Sequence, residues 1–300
     1  MLDYKLLMAL AAVVEQGGFD RAAMILGLSQ SAVSQRVKLL ENRVGAPVLL
    51  RNSPPTATPA GQRLLNHAQQ VRLLERDLQQ DLPMVGGDNG PTRLRIALNA
   101  DSLATWWAPA VAEFRTQEDV LMDLLTEDQD VVLRRMRSGD VAGCVCAVAE
   151  PVAGARALLL GNMRYVAVAS PHLLGDAANR NGGGRMPWEH LPAVVFGPDD
   201  QLQHRFLRDC GYSGEFRHHL CPSSEGFVRM LSAGMGWGMV PELQIRPQLR
   251  SGELKEIVPG QAVDVPLYWH YWRHGGRLLE ALTGCLAREG SLLLTDGHYT

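Results

Sequence analysis

The sequence predicts an α/β protein in which a small helical head precedes a larger body. A helix-turn-helix pattern occupies residues 19–51, and a single long amphipathic helix follows from Thr58. From Thr92 onward, short apolar segments of strand length, among them residues 157–160 and 165–169, alternate with helical patterns such as residues 103–115. Such alternation indicates α/β architecture with largely parallel sheets. A length of 300 residues suggests about two domains and enough chain to bury substantial cores.

The head is predicted to open with three helices. The first covers about residues 3–15 and is ended by Gly17, and the second is ended by Gly27. Ser29 can cap the third helix, which reaches about Val44. One face of this third helix is apolar and consists of Val33, Val37 and Leu40. The other faces carry short hydrogen-bonding side chains, as base edges and phosphates require.

Two helices joined by a short glycine-containing turn form the helix-turn-helix layout, whose second helix enters the major groove of DNA. We therefore predict DNA contacts from Arg21, Ser29, Gln30, Ser31, Ser34, Gln35, Lys38 and Arg51. A surface helix with a solvated polar face is the alternative. Residues 48–50 then read as a short strand, and residues 51–56 as a wing tip stiffened by two prolines.

A long helix is predicted after the wing. Thr58 ahead of Pro59 is a strong helix start, and the helix should run to about Leu82, just before Pro83. Its apolar residues recur about every seven positions, which favours pairing with a partner helix. The predicted dimerisation residues are Leu64, Val71, Leu74 and Leu78. Packing against the protein's own head is the alternative, and residues 83–91 read as a linker.

The net charge of the chain is unevenly divided. The whole chain carries a formal charge of −3, whereas residues 20–65 contain six Lys or Arg and two Asp or Glu. That segment therefore carries +4 and leaves −7 for the rest. Phosphates respond to local charge, because salt screens the field beyond roughly 8–10 Å. A basic head and an acidic remainder fit one protein with two kinds of partner.

Composition also bears on location and metal binding. No apolar run reaches the ~20 residues needed to span a bilayer, and no secretory pattern opens the chain, so we expect a cytoplasmic protein without a membrane partner. Five cysteines, an odd number, argue for free thiols in a reducing compartment. Cys144 and Cys146 alternate and should share one face of a strand. His218, His219 and Cys221 lack a recognised zinc spacing, so we expect no metal site and no cofactor.

A long and specific residue pattern runs through the head. It comprises Ala22-Ala23, Leu28 to Ser34, Val37, Leu40-Glu41, Gly45, Leu49 to Arg51 and Thr58 to Gly61. With these residues the chain resembles the N-terminal domain of LysR-type transcriptional regulators. The likeness is strongest to the lysine- and arginine-responsive branch, through Ser29 to Arg36, Pro54-Pro55 and Asn99 to Trp106. It covers almost the whole chain and is thinnest at Gly182 to Met186 and beyond Gly290.

The resemblance implies a domain organisation and a function. Residues 1–58 would form a winged helix-turn-helix and residues 59–91 a dimerisation helix and hinge. The body would fold like a periplasmic binding protein, with one α/β subdomain from residues 92–161 plus 265–300 and another from 162–264. The implied protein is a homodimer or homotetramer that binds an operator in double-stranded DNA. Its implied effector is lysine or arginine, its target a gene of amino-acid export or metabolism, and RNA polymerase a further partner.

Three stretches of the body are predicted to line the effector cleft, because ligands lie beyond the carboxyl ends of strands in open α/β sheets. They are the loop 99–102, the turn 197–200 and the helix start 222–225, whose amides can hold an α-carboxylate. Their carboxylates, with those at 127–128, suit a ligand with a cationic end. The predicted effector residues are Asn99, Asp101, Ser102, Glu127, Asp128, Asp199, Ser223 and Ser224. Ser102 matches the family's hydroxyl position, and helix capping or plain solvation is the alternative for the others.

Catalytic motifs are not recognised in the sequence. Gly234, Gly236 and Gly238 follow a helix and precede a strand, the reverse of the order in a dinucleotide-binding loop. No Gly-x-Ser-x-Gly, His-Glu-x-x-His or phosphate-loop pattern occurs. We therefore predict a regulator and not an enzyme. A regulator that responds to a different small molecule is the main alternative, followed by a solute-binding module or an enzyme that carries a helical domain.

Overall fold

The computed structural model describes residues 3–50, 52–81, 92–127, 129–138, 140–180 and 186–294. The head opens with helices α1 (Tyr4–Gln16), α2 (Phe19–Leu26) and α3 (Gln30–Val44). Gly27 joins α2 to α3 with φ of 62°, a left-handed conformation that favours glycine. The predicted helix-turn-helix is confirmed.

A two-stranded wing follows the three helices. Strands β1 (Leu49–Leu50) and β2 (Thr56–Ala57) pair antiparallel. Helix α4 (Pro59–Asp81) then begins at the predicted residue. The Thr58 hydroxyl accepts a hydrogen bond from the Gly61 N–H at 3.1 Å and donates one to the Pro47 carbonyl at 2.7 Å. Thr58 therefore caps the long helix and ties its start to the chain that leads into the wing.

The start of α4 packs closely on the wing. A Cβ at Gly61 would lie 2.0 Å from the carbonyl oxygen of Val48, a distance that no side chain tolerates. The apolar side chains of the head core come from all four helices and the first wing strand. They include Leu6, Leu10, Val13, Val33, Val37, Leu40, Leu49 and Ala68. The glycine thus lets the long helix approach this core.

Helix α4 also contacts the body. The Arg72 guanidinium donates to the Glu15 carboxylate of α1 at 2.8 Å, which ties α4 to the head. Further along α4, Leu73 is buried in the main core of the body. The Asp77 carboxylate accepts a hydrogen bond from the Arg277 N–H at 2.8 Å. One helix therefore bridges head and body.

The body alternates strands and helices. Its strands are β3 (Thr92–Leu98), β4 (Val120–Thr126), β5 (Gly143–Cys146), β6 (Ala155–Ala169), β7 (Ala193–Val195), β8 (His218–Leu220), β9 (Gly238–Pro241), β10 (Lys255–Glu256) and β11 (Ala262–Trp272). Its helices are α5 (Ala100–Ala104), α6 (Trp107–Gln117), α7 (Gln129–Ser138), α8 (Pro171–Arg180), α9 (Leu202–Asp209), α10 (Ser224–Ser232), α11 (Glu242–Ser251) and α12 (Gly276–Leu293).

The main sheet of the body is mixed. Its strand order is β10-β6-β11-β5-β3-β4, and β9 also pairs with β6. Strand β3 is parallel to β4 and β5, and β7 is parallel to β8, whereas every pairing of β6 and β11 is antiparallel. The prediction of largely parallel sheets is therefore wrong. The reason is that two long strands run through the centre of the sheet in opposite directions.

Strands β6 and β11 extend through both halves of the body. The first part of β6 pairs with the last part of β11 beside β5, and the last part of β6 pairs with β9 and β10. Their register shifts between Leu267 and Tyr268, opposite Gly161, which has φ of 140°. This bulge marks where the strands pass from one half to the other. The subdomain boundaries predicted at 161/162 and 264/265 fall within β6 and β11 and stay predictions.

Several body elements differ from their predictions. The two strands predicted at 157–160 and 165–169 are one continuous strand, β6. Strand β11 and helix α11 are not predicted, because Pro266 and Pro247 argue against a strand interior and a helix interior. The helix predicted at 103–115 is divided into α5 and α6. The α/β class is confirmed, since these differences concern single elements.

Two further observations concern membranes and thiols. Across the described ranges, no helix is both long enough and apolar enough to cross a membrane. The described residues include all five cysteines, and none of them forms a disulfide. Cys144 and Cys146 lie in the same buried cluster beside β5, as their alternation predicts.

We expect Gly61→Ala to destabilise the head. The added Cβ would overlap the Val48 carbonyl, so α4 must shift away from the wing, at a cost of about 1–3 kcal/mol or more. The measurement is the free energy of unfolding from urea titration. Gly284→Ala in α12 is the matched control, because a Cβ there meets nothing within 4 Å and alanine favours a helix interior. Equal stabilities of the two variants would contradict this packing.

Candidate DNA interface and effector site

The N-terminal end of α3 presents polar side chains to solvent. The Ser29 hydroxyl accepts a hydrogen bond from the Ala32 N–H at 3.2 Å and lies 3.0 Å from the Ser31 hydroxyl. The apolar face of α3 is buried in the head core. The predicted DNA-contact residues on α3 are therefore accessible, with Gln30, Ser31, Gln35 and Lys38 exposed and Ser34 partly exposed.

Of the two arginines predicted to contact DNA, the structure describes Arg21. Arg21 is exposed on α2, and its guanidinium donates to the Gly17 carbonyl at 3.3 Å. Arg51 lies outside the described residues. Arg21 lies beside the wing, because it lines the same surface depression as Pro54 and Pro55.

In the body, a carboxyl group lies where three elements meet. Asp101, in the short helix α5 after β3, accepts a hydrogen bond from the Tyr165 hydroxyl at Oδ2, 2.8 Å away. Its Oδ1 accepts one from the Ser224 hydroxyl, also at 2.8 Å. Tyr165 lies on β6, and Ser224 opens α10. The structure thus brings together two predicted residues that are 123 positions apart in sequence.

The surroundings of Asp101 change its ionisation. Burial raises the pKa of Asp101 above its ordinary value, and the nearby Asp200 raises it further, whereas the hydrogen bonds from Ser224 and Tyr165 lower it. Burial also raises the pKa of Tyr165, helped by the charge of Asp101, so the phenol remains a hydrogen-bond donor at neutral pH. A buried carboxyl group with a second one nearby favours a cationic ligand.

Two predicted residues beside Asp101 carry polar atoms that lack partners. Ser102 is 0% exposed, and its hydroxyl makes no hydrogen bond within the described part of the chain. The same holds for the buried Oδ1 of Asn99. Native proteins satisfy most buried polar atoms, so such atoms require an explanation. A hydrogen-bonding ligand at this loop would supply one.

The acidic turn before α9 presents a different carboxylate from the predicted one. Asp199 is exposed, whereas Asp200 is partly buried and acts on Asp101. The Asp200 carboxylate accepts hydrogen bonds from the Phe196 N–H at 3.2 Å and the Leu202 N–H at 3.0 Å. These two bonds turn Asp200 inward and leave its neighbour in solvent. The structure therefore corrects Asp199 to Asp200 as the acidic residue beside Asp101.

The start of α10 is held by side chains of its own subdomain. The Ser223 hydroxyl caps the helix by accepting from the Gly226 N–H at 3.1 Å, so the capping alternative holds for Ser223. Ser224 also contacts Gln244 of α11. The Gln244 Nε2 donates to the Ser224 carbonyl at 3.2 Å, and the Ser224 hydroxyl lies 3.1 Å from the Gln244 Oε1. Gln244 thereby positions the residue that binds Asp101.

Glu127 belongs to a separate ion-pair network. Its carboxylate binds the Arg135 guanidinium, which also donates to Asp140 at 2.6 Å. Asp140 further accepts from Arg95 at 3.0 Å and from the Gln62 amide of α4 at 3.5 Å. Glu127 is therefore engaged by a cation of its own protein, and its contact with the effector stays a prediction. Asp128 lies outside the described residues.

The predicted dimerisation residues of α4 fall into two groups. Leu64 packs against the head core, so at this position the alternative of packing within the protomer holds. Val71 is partly buried. Leu74 and Leu78 are 48% and 51% exposed, which is unusual for leucine in a helix that contacts both head and body. These two residues remain the candidates for contact with a partner helix.

Three residues of the Asp101 cluster escaped sequence reasoning. Tyr165 lies in an apolar strand pattern that offers no sign of a polar role. Gln244 lies on α11, which is obscured by its internal proline. Asp200 did carry a signal, because an Asp two residues before a helix start commonly binds its amides, as it does here. Among the described residues, no group of three or more His, Cys, Asp or Glu side chains can hold a metal ion.

The fold and the site define a class of protein. A winged helix-turn-helix head reads DNA, and a long helix joins it to a body whose two halves meet around a buried carboxyl group. This architecture is that of a DNA-binding protein that responds to a small molecule.

Comparison with family models makes the class specific. Residues 4–62 match the model described as bacterial regulatory helix-turn-helix protein, lysR family, and residues 87–289 match the LysR substrate binding domain. The chain belongs to the LysR family of transcriptional regulators. Because members of this family are regulators, the prediction that the chain is not an enzyme is confirmed.

Individual relatives align with nearly the whole chain. The HTH-type transcriptional regulator ArgP of Pseudomonas aeruginosa is 63% identical over 295 residues, 98% of each chain. The lysine export transcriptional regulatory protein LysG of Corynebacterium efficiens is 39% identical, over 94% of this chain and 96% of that one. The crystal structure of ArgP from Mycobacterium tuberculosis has a TM-score of 0.82 at 37% identity and covers 99% of this chain and 100% of its own. Full-length LysG from Corynebacterium glutamicum with bound effector Arg has a TM-score of 0.76 at 36% identity, with 98% and 100% covered.

We expect Asp140→Ala to destabilise the protein more than Asp123→Ala. Asp140 has a side chain that is only 15% exposed and accepts from Arg95, Arg135 and Gln62, so its removal breaks three hydrogen bonds at once. The Asp123 side chain is 37% exposed and forms an ion pair with Arg93, which is itself 64% exposed. We expect losses of about 1–3 kcal/mol and below about 1 kcal/mol respectively, measured by urea unfolding. Similar losses for both variants would show that the Asp140 network adds nothing to stability.

Proposed function

We propose that the protein controls transcription in response to a basic amino acid, lysine or arginine, bound at the Asp101 cluster. The observation that carries this proposal is a carboxyl group buried between the two halves of the body with unpartnered polar atoms beside it. A buried carboxyl group is matched by a ligand cation. The Asn99 Oδ1 can accept a hydrogen bond from an ammonium or guanidinium group, and Ser102 can donate or accept one.

The named relatives support a basic amino acid over other effectors. One relative is named for lysine export, and one solved relative is described with bound effector Arg. Both align with nearly the whole of this chain. A lysine- or arginine-responsive regulator of an export or metabolism gene is therefore the function that sequence, site and relatives support together.

We propose that the N-terminal end of α3 reads the operator. Gln30, Ser34 and Gln35 lie at this end, and glutamine and serine can hydrogen-bond to base edges in the major groove. Ser29, Ser31, Arg21, Lys38 and Arg51 would contact phosphates and hold the head in register. The net charge of +4 over residues 20–65 favours this position on DNA.

A two-fold operator requires two heads, and α4 offers the surface for pairing them. The exposed Leu74 and Leu78 lie on one side of α4, and burying them against a second copy would remove apolar area from water. We propose a homodimer built on this helix, with a homotetramer as a further assembly. RNA polymerase is the proposed partner through which a DNA-bound regulator alters transcription in the cytoplasm.

We expect Gln35→Ala to weaken specific DNA binding. Loss of one base contact costs about 1–3 kcal/mol, so affinity for the operator should fall about 5- to 150-fold while binding to unrelated DNA stays unchanged. Gel retardation on the promoter fragment measures both. Asn42→Ala, on the same helix but near its C-terminal end, is the control and should bind like the wild type. If Asn42→Ala were the variant that lost specificity, the wrong end of α3 would have been chosen.

We expect Asp101→Asn to weaken binding of L-lysine and L-arginine about 10- to 100-fold, because a hydrogen bond between charged groups is worth about 1.5–3 kcal/mol. Isothermal titration calorimetry on the full chain measures the affinity. Asp199→Asn removes an equal charge from the exposed neighbour of Asp200 and should leave affinity unchanged. Failure of the wild type to bind either amino acid would refute the proposed effector class, and an equal loss in both variants would refute the site.

A further inference from the structure

The hydrogen bonds around Asp101 demand one proton more than an ionised carboxylate would leave available. The Ser224 hydroxyl carries a single hydrogen, yet it lies 2.8 Å from Asp101 Oδ1 and 3.1 Å from Gln244 Oε1. Both neighbours are acceptors when Asp101 is ionised. Ser224 can then donate to only one of them, and the other is left facing an oxygen without a hydrogen between them.

The backbone prevents Gln244 from relieving this conflict. Its Nε2 donates to the Ser224 carbonyl at 3.2 Å. Turning the amide by 180° would place Oε1 against that carbonyl oxygen, so two acceptors would face each other there instead. The orientation with Oε1 toward the Ser224 hydroxyl is therefore the one that satisfies the backbone.

A proton on Asp101 gives each of its hydrogen bonds, and the one between Ser224 and Gln244, a donor and an acceptor. A protonated Oδ1 donates to the Ser224 hydroxyl, which then donates its own hydrogen to Gln244 Oε1. Oδ2 still accepts from the Tyr165 hydroxyl at 2.8 Å. Asp101, Ser224 and Gln244 then form one continuous chain of hydrogen bonds that joins α5 to α10 and α11.

Burial and a neighbouring carboxylate also favour the protonated form of Asp101. Among the described residues, the titratable groups that act on Asp101 are Tyr165, from β6, and Asp200, from the turn before α9. Burial raises the pKa of Asp101 most, and Asp200 adds to this, against the hydrogen bonds from Ser224 and Tyr165. The same burial keeps the Tyr165 phenol protonated by raising its pKa.

We propose that Asp101 is a neutral acid in the ligand-free protein. When a basic amino acid binds, Asp101 loses this proton and the ligand's cationic group takes its place. This inference rests on the proposed function and adds its regulation by pH. The O–H bond at Asp101 Oδ1 breaks, the proton passes to solvent, and the ligand's cationic group faces the resulting carboxylate. Ser224 then donates to that carboxylate, and the N–H groups that the ligand's cation brings to Asp101 compensate for the hydrogen bond lost at Gln244 Oε1.

The exchange gives ligand binding a definite pH dependence. Below the pKa of Asp101 in the empty protein, each binding event releases up to about one proton, so affinity rises by up to about tenfold per pH unit. Above that pKa the carboxyl group is already ionised, and affinity levels off. A regulator with this site responds to a basic amino acid less strongly in acid.

Calorimetry in two buffers tests the exchange directly. L-arginine and L-lysine are titrated into the full chain in phosphate and in imidazole, which take up a proton with different enthalpies, at several values between about pH 6 and 7.5. We expect the binding enthalpy to differ between the buffers by an amount that reports proton release, and we expect this difference to shrink as pH rises. Binding with equal enthalpy in both buffers at every pH would overturn the exchange while leaving the proposed function intact. If neither amino acid bound in any buffer, the exchange and the proposed function would both be overturned.

A matched pair of variants on α11 tests the proton count. Gln244→Met removes the competing acceptor, so Ser224 can donate to an ionised Asp101 in the empty protein. We expect it to bind arginine with fewer protons released and a flatter pH profile. Gln248→Met is the same change one turn along the helix, where the side-chain oxygen has no partner among the described residues, and should release as many protons as the wild type. Equal proton release by both variants would overturn the role of Gln244.

Stability of the empty protein gives a readout that needs no ligand. A buried acid whose folded pKa lies above its unfolded value stabilises the fold at low pH, and this stability is lost as pH rises through the folded pKa. The melting temperature of the wild type should therefore fall relative to that of Asp101→Asn as pH rises from the unfolded pKa of Asp101 to its folded pKa. Parallel melting profiles of the two proteins would show that Asp101 is ionised when the site is empty.

Discussion

Removing a carboxyl group from water is costly unless hydrogen bonds or an opposite charge compensate for it. In this protein the cost falls on Asp101, and the compensation comes from distant parts of the chain. Tyr165 forms a hydrogen bond with it from β6 and Ser224 forms another from α10, so both of these contacts come from outside α5. The two halves of the body are thus held at a defined separation by the requirements of one side chain.

The long strands determine where these donors lie. Tyr165 stands on the part of β6 that pairs with β9, beyond the bulge opposite Gly161, while Asp101 follows β3 on the other side of that bulge. A change of register at the bulge would move Tyr165 relative to Asp101. The same two strands that connect the halves therefore set the position of Tyr165 relative to Asp101.

Local chemistry made the head predictable, and distant pairing made the site harder to predict. Ser29 and Thr58 cap helices through hydrogen bonds to residues three positions ahead, so the adjacent sequence is enough to predict both caps. The loop around Asp101 was also found, because it follows a strand. Asp199 was chosen over Asp200 because two adjacent carboxylates look alike until backbone amides select one. Gln244 was missed because its role depends on Ser224, 20 residues away, and on a helix that contains a proline.

A ligand can alter DNA binding only if its contacts differ in free energy between two arrangements of the protein. A ligand bound at Asp101 can make such contacts, because Asp101 on α5 meets Tyr165 on β6 and Ser224 on α10, so the site changes when these elements move relative to one another. A path to the head exists in the same half of the body. The Glu127 N–H binds the Leu98 carbonyl at 3.3 Å, next to the Asp101 loop, and its carboxylate holds Arg135, which shares Asp140 with Gln62 of α4. If a shift of that loop moves α4 through these contacts, DNA that favours one position of α4 must change ligand affinity by the same factor.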